Sequence, residues 1–207
     1  LKTVPTARGT IVTASFFEHD VLPLADGHVI LLVRHEMTVD IVSVIGSPPS
    51  PVSVTGNALI ALDESFQPVW VWSTFDYLDI NRRPMLFPDW TYCNAIVATP
   101  DGHLLLSSRH QGWIMKLDYA NGVGSGRPLW TLGFGGTFAL TGGDPGDWFY
   151  SQHAPSIVAT DGALITRLAV VDNGNGRLSL IQSDVLPGTW ATSPDTISGR
   201  HRSVSVS

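Results

Sequence analysis

The stretch "HDVLPLADGHVILLVRH" (residues 19–35) reveals the architecture of the chain, because a second stretch of the same pattern, "NAIVATPDGHLLLSSRH" (94–110), occurs 75 residues later. Asp-Gly-His and Arg-His stand at the same places in both stretches. In each, two apolar runs flank an Asp-Gly pair, and glycine tolerates the positive φ that tight hairpin turns require. Each stretch therefore predicts a β-hairpin, and the pair indicates a repeated β unit.

Each of these hairpins is followed by a second one. The first unit continues with "NALIALDESFQPVWVW" (57–72), and the second continues with "WIMKLDY" (113–119) and "RPLWTL" (127–132). A third copy opens at "QHAPSIVATDGALITRLAVVDNG" (152–174), around another Asp-Gly turn. Four short strands per unit, joined by irregular loops, are typical of the blades of a β-propeller.

The chain is predicted to be all-β, because no window of about a dozen residues keeps a helical period. We expect a β-propeller of four-stranded antiparallel blades over residues 1–180. It would be an incomplete segment of about two and a half blades, short of the ~4 to 8 of a closed propeller. Residues 181–207 lack apolar periodicity and are expected to form a poorly ordered tail. A β-sandwich is the alternative fold.

The composition excludes several classes of function. The 207 residues carry a formal net charge of -6 with only 12 Lys and Arg, so no basic stripe is expected and no nucleic acid partner. The apolar runs are far shorter than the ~20 residues that span a bilayer, so no membrane partner is expected. The single cysteine, Cys93, excludes an internal disulfide and a thiolate metal cage.

Polar residues at the starts of the units are the candidates for function. The innermost strand of each propeller blade lines the central channel, so we expect His19, Tyr92 and His153 to face one another there. Arg109, at the end of the second strand of the middle unit, and the amide of Asn94 are expected nearby. Because the planar guanidinium of arginine suits a tetrahedral oxyanion, the pattern predicts an anion site at the channel mouth.

Each of these residues also has a structural interpretation. A histidine at a strand start can satisfy a backbone group or lie in solvent, and Arg34 occupies the place of Arg109 in the first unit. The tryptophans are expected to pack between blades, with Trp90 and Trp148 as alternative substrate platforms. The remaining hairpin histidines are expected to be exposed: His28, His35, His103 and His110.

The motifs resemble those of the aryl-sulfate sulfotransferase (arylsulfotransferase) family, whose enzymes are built around a six-bladed β-propeller. The resemblance covers roughly residues 15–180 and rests on motifs that occur in one order. These motifs are "HDVLPLADGHVILLVRH", "VTGNALIALDESFQPVWVW", "FPDWTYCNAI", "SSRHQGWIMKLDY", "DWFYSQH" and "DNGNGR".

The resemblance implies a reaction and roles for the residues. In that family the histidine of the "QH" motif takes the sulfuryl group from an aryl sulfate as a sulfohistidine, and a phenol then collects it in a ping-pong mechanism without a nucleotide sulfate donor. Carried over, His153 is the nucleophile, His19 and Arg109 are catalytic, and Asn94 and Tyr92 bind substrate. Tyr92 stands where the family has a histidine, and a phenol is a poor proton relay near neutral pH.

The resemblance also implies the setting. The partners would be a small-molecule aryl sulfate and a phenol, with no cofactor and no metal, in a periplasmic or extracellular location. The rest of the propeller, or an oligomer partner, would supply the missing blades. A non-catalytic propeller fragment or degenerate relative that acts as a binding module is the alternative function, and a quinoprotein-like or sugar-acting propeller enzyme is a third.

Overall fold

The computed structural model describes residues 3–14, 16–41, 49–83, 88–141, 145–174, 177–182 and 196–198. The chain divides into two compact units, Leu1–Cys93 and Asn94–Ser207. Within the described ranges, every helix is too short or too polar to cross a membrane.

The first unit is built on a four-stranded sheet. Its strands are adjacent in chain order and antiparallel. They are β3 (Phe17–Pro23), β4 (Val29–Ile41), β5 (Ser50–Leu62) and β6 (Pro68–Ser73), after a short antiparallel hairpin of β1 (Thr3–Pro5) and β2 (Ile11–Thr13). A single helical turn, α1 (Thr74–Tyr77), follows β6. The predicted turn at Gly27 is present, with a φ of 86° that glycine accommodates.

Strand β5 forms the centre of the first unit, because its residues 54–61 are buried on both faces. On one face, Val4 and Val12 of the β1–β2 hairpin pack against Val33, Ala58 and Ile60. Continuous apolar sequence with no exposed side is typical of a strand covered on both faces. The hairpin therefore completes the core of this unit.

The second unit contains a second four-stranded meander and a three-stranded antiparallel sheet. The meander consists of β7 (Cys93–Ala98), β8 (Leu104–Ser108), β9 (Trp113–Leu117) and β10 (Pro128–Leu132). The three-stranded sheet consists of β12 (His153–Asp161), β13 (Leu164–Asp172) and β14 (Arg177–Gln182). Strands β11 (Ala139–Thr141) and β15 (Thr196–Ser198) pair in parallel, and two 3-10 turns lie at Ala120–Gly122 and Pro145–Asp147.

The two larger sheets of the second unit share one hydrophobic core. Leu105 and Ile114 of the meander pack with Leu168 and Val170 of β13. Trp130 and Trp148 belong to the same cluster and lie between the sheets, as expected for tryptophans that join neighbouring sheets. Burial of these side chains joins the two sheets into one body.

The predicted all-β class is confirmed, and all sheets except the β11–β15 pair are antiparallel. The β1–β2 hairpin is an element that the sequence pattern did not predict. The predicted tail, 181–207, lies outside the described residues except for the end of β14 and for β15. The arrangement of the sheets as propeller blades stays a prediction.

Candidate active site

In the first unit, His19 and Tyr92 lie against each other. Their ring centroids are 4.9 Å apart with planes tilted by 44°. Both have left-handed backbones, with φ of 57° and 43°, and the register of β3 on β4 shifts between Phe17 and Val21, around His19. Non-glycine residues in this region of φ are uncommon, and they cluster where function or the surrounding structure requires them.

The buried side chain of Asn57 forms hydrogen bonds to residues next to both His19 and Tyr92. Its Oδ1 accepts hydrogen bonds from Thr91 Oγ1 and from the backbone N–H of Cys93, each at 2.8 Å, and these residues flank Tyr92. Its Nδ2 donates to Glu18 Oε2 at 3.0 Å, one residue before His19. Asn57 was not among the predicted site residues. The sequence does contain a signal for it, because Asn57 begins the strongly apolar run "NALIAL". An amide buried in such a strand requires hydrogen-bond partners.

Arg34 has a structural environment in the first unit. It lies within β4, directly opposite Asn57 of β5. Its Nε is 3.4 Å from Glu18 Oε1 and 3.9 Å from Glu36 Oε1. The arginine of the first repeat is therefore engaged with carboxylates of its own sheet.

In the second unit, Asn94 and His153 are linked through the backbone of Gln152. Asn94 is buried, and its Nδ2 donates to the carbonyl oxygen of Gln152 at 2.7 Å. His153, partly buried, is the first residue of β12, and the register of β12 on β13 shifts between His153 and Ser156. Such bulges are frequent next to active sites, where they redirect a side chain.

Arg109 begins the turn that joins β8 to β9. It is partly buried, and its Nη1 lies 3.3 Å from Nε2 of His110. The turn closes with a hydrogen bond from the N–H of Gly112 to the carbonyl oxygen of Arg109, and Gly112 has a φ of 62°. Arg109 therefore lies at the end of the strand, and its planar guanidinium has the donor geometry that suits an oxyanion.

The structure contradicts the expected exposure of His35 and argues against the alternative role considered for Trp90 and Trp148. His35, expected to be exposed, is 3% exposed, with Nδ1 2.9 Å from Ser73 Oγ and Nε2 3.1 Å from the carbonyl oxygen of Ile11. Burial lowers the pKa of His35, against opposing effects of the Ile11 carbonyl and the charge of Asp76. Trp90 and Trp148, considered as substrate platforms, are both buried in hydrophobic clusters.

The predicted residues thus fall into a first-unit pair, His19 and Tyr92, and a second-unit group, Asn94, Arg109 and His153. Within the described ranges, no group of three His, Cys, Asp or Glu side chains is placed to hold a metal ion. The expected meeting of all five residues on one channel stays a prediction.

Residues 9–185 match the family described as Arylsulfotransferase (ASST), and the chain belongs to this family. No curated protein and no solved structure matches the chain. Family membership makes the chain arylsulfotransferase-like, with an aryl sulfate and a phenol as the substrates that the family implies. It agrees with the resemblance drawn from the sequence motifs.

Proposed function

We propose that the chain transfers a sulfuryl group from an aryl sulfate ester to a phenolic acceptor through a sulfohistidine at His153. In the first displacement a neutral ring nitrogen of His153 attacks sulfur and the bond from sulfur to the aryl oxygen breaks. The leaving phenolate takes the N–H proton that the sulfated imidazole releases, relayed by His19. In the second, the acceptor phenol returns a proton to the imidazole of His153 by the same route, its oxygen attacks sulfur, and the nitrogen–sulfur bond breaks. This division into two displacements predicts ping-pong kinetics.

The surroundings of the second-unit residues support these roles. Sulfuryl transfer, like phosphoryl transfer, places charge on peripheral oxygens, so a protein contributes mainly by positioning and charge stabilisation. Arg109 supplies a cation in a turn, and the Asn94 amide carries a second N–H besides the one bonded to Gln152. We assign the sulfuryl oxygens to these two groups, and His153 carries the transferred group.

His19 is proposed to assist proton movement, with Tyr92 as its neighbour. The contact between the two rings supports this assignment, because a phenol beside an imidazole can donate a hydrogen bond and orient it. Because Tyr92 replaces the family histidine, we expect the best donors to be aryl sulfates whose phenolate needs little protonation.

We further propose that the sheets of residues 1–180 are propeller blades, followed by a tail over 181–207. Two four-stranded meanders in chain order, and a three-stranded sheet after them, support this assignment. The remaining blades would come from the rest of the protein or from an oligomer partner. A periplasmic or extracellular location is proposed from the family.

The presence of Tyr92 also favours a second candidate, a degenerate relative that binds a partner without catalysis. Incubation with 4-nitrophenyl sulfate and phenol separates the two functions. Transfer predicts nitrophenolate release that depends on phenol and, with phenol omitted, a mass increase of one SO3 group on a peptide that contains His153. The His153→Ala variant is expected to lose both signals, and the control variant His28→Ala is expected to keep them. A folded protein with neither signal would identify the degenerate relative.

A further inference from the structure

The backbone around His153 is held in an unusual conformation. Ser151 and Ala154, which flank the pair of Gln152 and His153, both have left-handed backbones with φ of 49° and 47°. Non-glycine residues in this region are strained and persist only where the surrounding structure fixes them. The contacts of this segment therefore determine where His153 lies.

The side chain of Gln152 lies between these two residues and forms several hydrogen bonds. It is fully buried, and its Nε2 lies 2.9 Å from the carbonyl oxygen of Ser108, 2.9 Å from that of Trp113, and 3.3 Å from Ser107 Oγ. Ser108 is the last residue of β8 and Trp113 is the first of β9. The amide therefore binds both ends of the turn that begins with Arg109.

The orientation of this amide is determined by its surroundings. Its two N–H groups serve three acceptors, whereas Gln152 Oε1 is buried without a hydrogen-bond partner among the described residues. A rotated amide would point this oxygen at the carbonyls of Ser108 and Trp113, which would repel it. The main chain of Gln152 is fixed as well, because its carbonyl oxygen accepts from Asn94.

We propose that Gln152 is a positioning residue that sets the distance and orientation of His153 relative to Arg109. One residue joins the strand that begins with His153, the turn that carries Arg109 and the side chain of Asn94. The inference rests on the proposed function, since it assigns His153 and Arg109 to one reaction. A misplacement of reacting groups by about 1 Å can lower the reaction rate about 100-fold.

The test replaces Gln152 by methionine, which keeps the size and removes the donors. The expected result is a 10- to 100-fold slower rate of sulfohistidine formation in single-turnover reactions with 4-nitrophenyl sulfate. The control is Asp101→Asn, a change in the hairpin turn at the other end of β7 and β8, which is expected to lower stability and leave this rate within about twofold.

A double-mutant cycle separates positioning from a merely structural role. If Gln152 acts by aligning the guanidinium, Arg109→Leu is expected to cost less in a Gln152→Met background than in the wild type. Additive losses of rate in the double variant, or an unchanged rate in folded Gln152→Met, would overturn the inference about Gln152. In either case, wild-type activity and the adduct on His153 would still support the proposed function. A wild-type chain without the adduct would overturn both.

A second variant covers the case in which Gln152→Met does not fold. Gln152→Glu keeps the shape, and its carboxyl group donates a hydrogen bond only when it is protonated. Its rate relative to wild type, measured at each pH, is expected to recover partly as pH falls. A pH-independent ratio would contradict positioning by donated hydrogen bonds.

Discussion

Arg34-His35 and Arg109-His110 are the same dipeptide at the same place in two repeated hairpins, yet they lie in different environments. In the first unit both residues lie inside β4, which continues to Ile41, and His35 is buried. In the second unit β8 ends at Ser108, so Arg109 and His110 form part of a turn and are partly exposed.

The difference arises from the residues on the C-terminal side of each dipeptide. "EMTVDI" (36–41) continues the extended chain and pairs residue by residue with β5. "QGW" (111–113) contains Gly112, whose positive φ turns the chain into β9. The repeat therefore determines the hairpin, whereas the residues after it determine whether the arginine lies within a strand or in a turn.

The largest expected difference concerns the two arginines in catalysis. Arg109→Leu is expected to lower kcat about 100- to 1,000-fold, or ~2.7–4 kcal/mol, by analogy with the loss of one donor to an anionic transition state. Arg34→Leu removes a partly exposed ion pair and is expected to change stability by under about 1 kcal/mol and kcat less than threefold. Steady-state kinetics with 4-nitrophenyl sulfate measure both, and equal losses would refute the distinction.

The two histidines are expected to differ in stability. His35→Ala removes a buried ring that bonds to Ser73 and the Ile11 carbonyl, and we expect a loss of about 2–3 kcal/mol in the free energy of unfolding. His110→Ala is expected to stay within about 0.5 kcal/mol, because the ring is partly exposed in a turn. Urea denaturation measures both values. A His110 variant as unstable as the His35 variant would contradict the assigned environments.

The two Asp-Gly-His turns allow a third comparison. Asp101 pairs with the buried Nζ of Lys116 and accepts from Thr99 Oγ1, whereas Asp26 is exposed and contacts only His28 among the contacts described for it. Asp101→Asn is expected to cost about 1–3 kcal/mol, because Lys116 loses its counter-ion. Asp26→Asn is expected to cost less than about 0.5 kcal/mol. Thermal and urea unfolding of both variants would reveal any reversal of this order.

The smallest expected effect is the dependence of the free energy of unfolding on pH, through the buried His35. The pKa of His35 is lowered in the folded state, so below the ordinary pKa of about 6.5 the unfolded chain binds more protons at this residue. The contribution of neutral His35 to the free energy of unfolding is therefore fully present above that pH, and it is lost as the pH falls through the folded-state pKa. In urea titrations His35→Gln should have a shallower slope there than wild type. An unchanged slope in His35→Gln would contradict this assignment.

Local patterns predicted the hairpins because turn chemistry and apolar runs act over a few residues. Gly27, Gly102 and Gly162 each stand at a predicted turn and each has a positive φ. The β1–β2 hairpin was not predicted, since strands of three residues are too short to show a period. The burial of His35 could not be predicted for the same reason, because one of its partners, Ile11, belongs to that hairpin.

The sequence offered His19, Tyr92, Asn94, Arg109 and His153 as candidates, and their role stays a prediction. The buried amides of Asn57 and Gln152 were not among them. Asn57 bonds to residues 34 and 36 positions further along the chain, and Gln152 bonds to residues 39 to 45 positions before it. Such partners are set by tertiary packing, which one sequence does not reveal. The motif "QH" points to the histidine, whereas the buried side-chain amide of the glutamine beside it donates to three acceptors.

The hydrogen bonds of Asn57 also bear on the order of assembly. Asn57 lies in β5, and both of its donors, Thr91 and Cys93, follow the last strand of this sheet, β6, in the chain. The loop with Tyr92 is therefore synthesised after every strand of the sheet to which it is bonded. A chain shortened to end before residue 88 would contain all four strands of the sheet but neither of these two donors to the Asn57 oxygen.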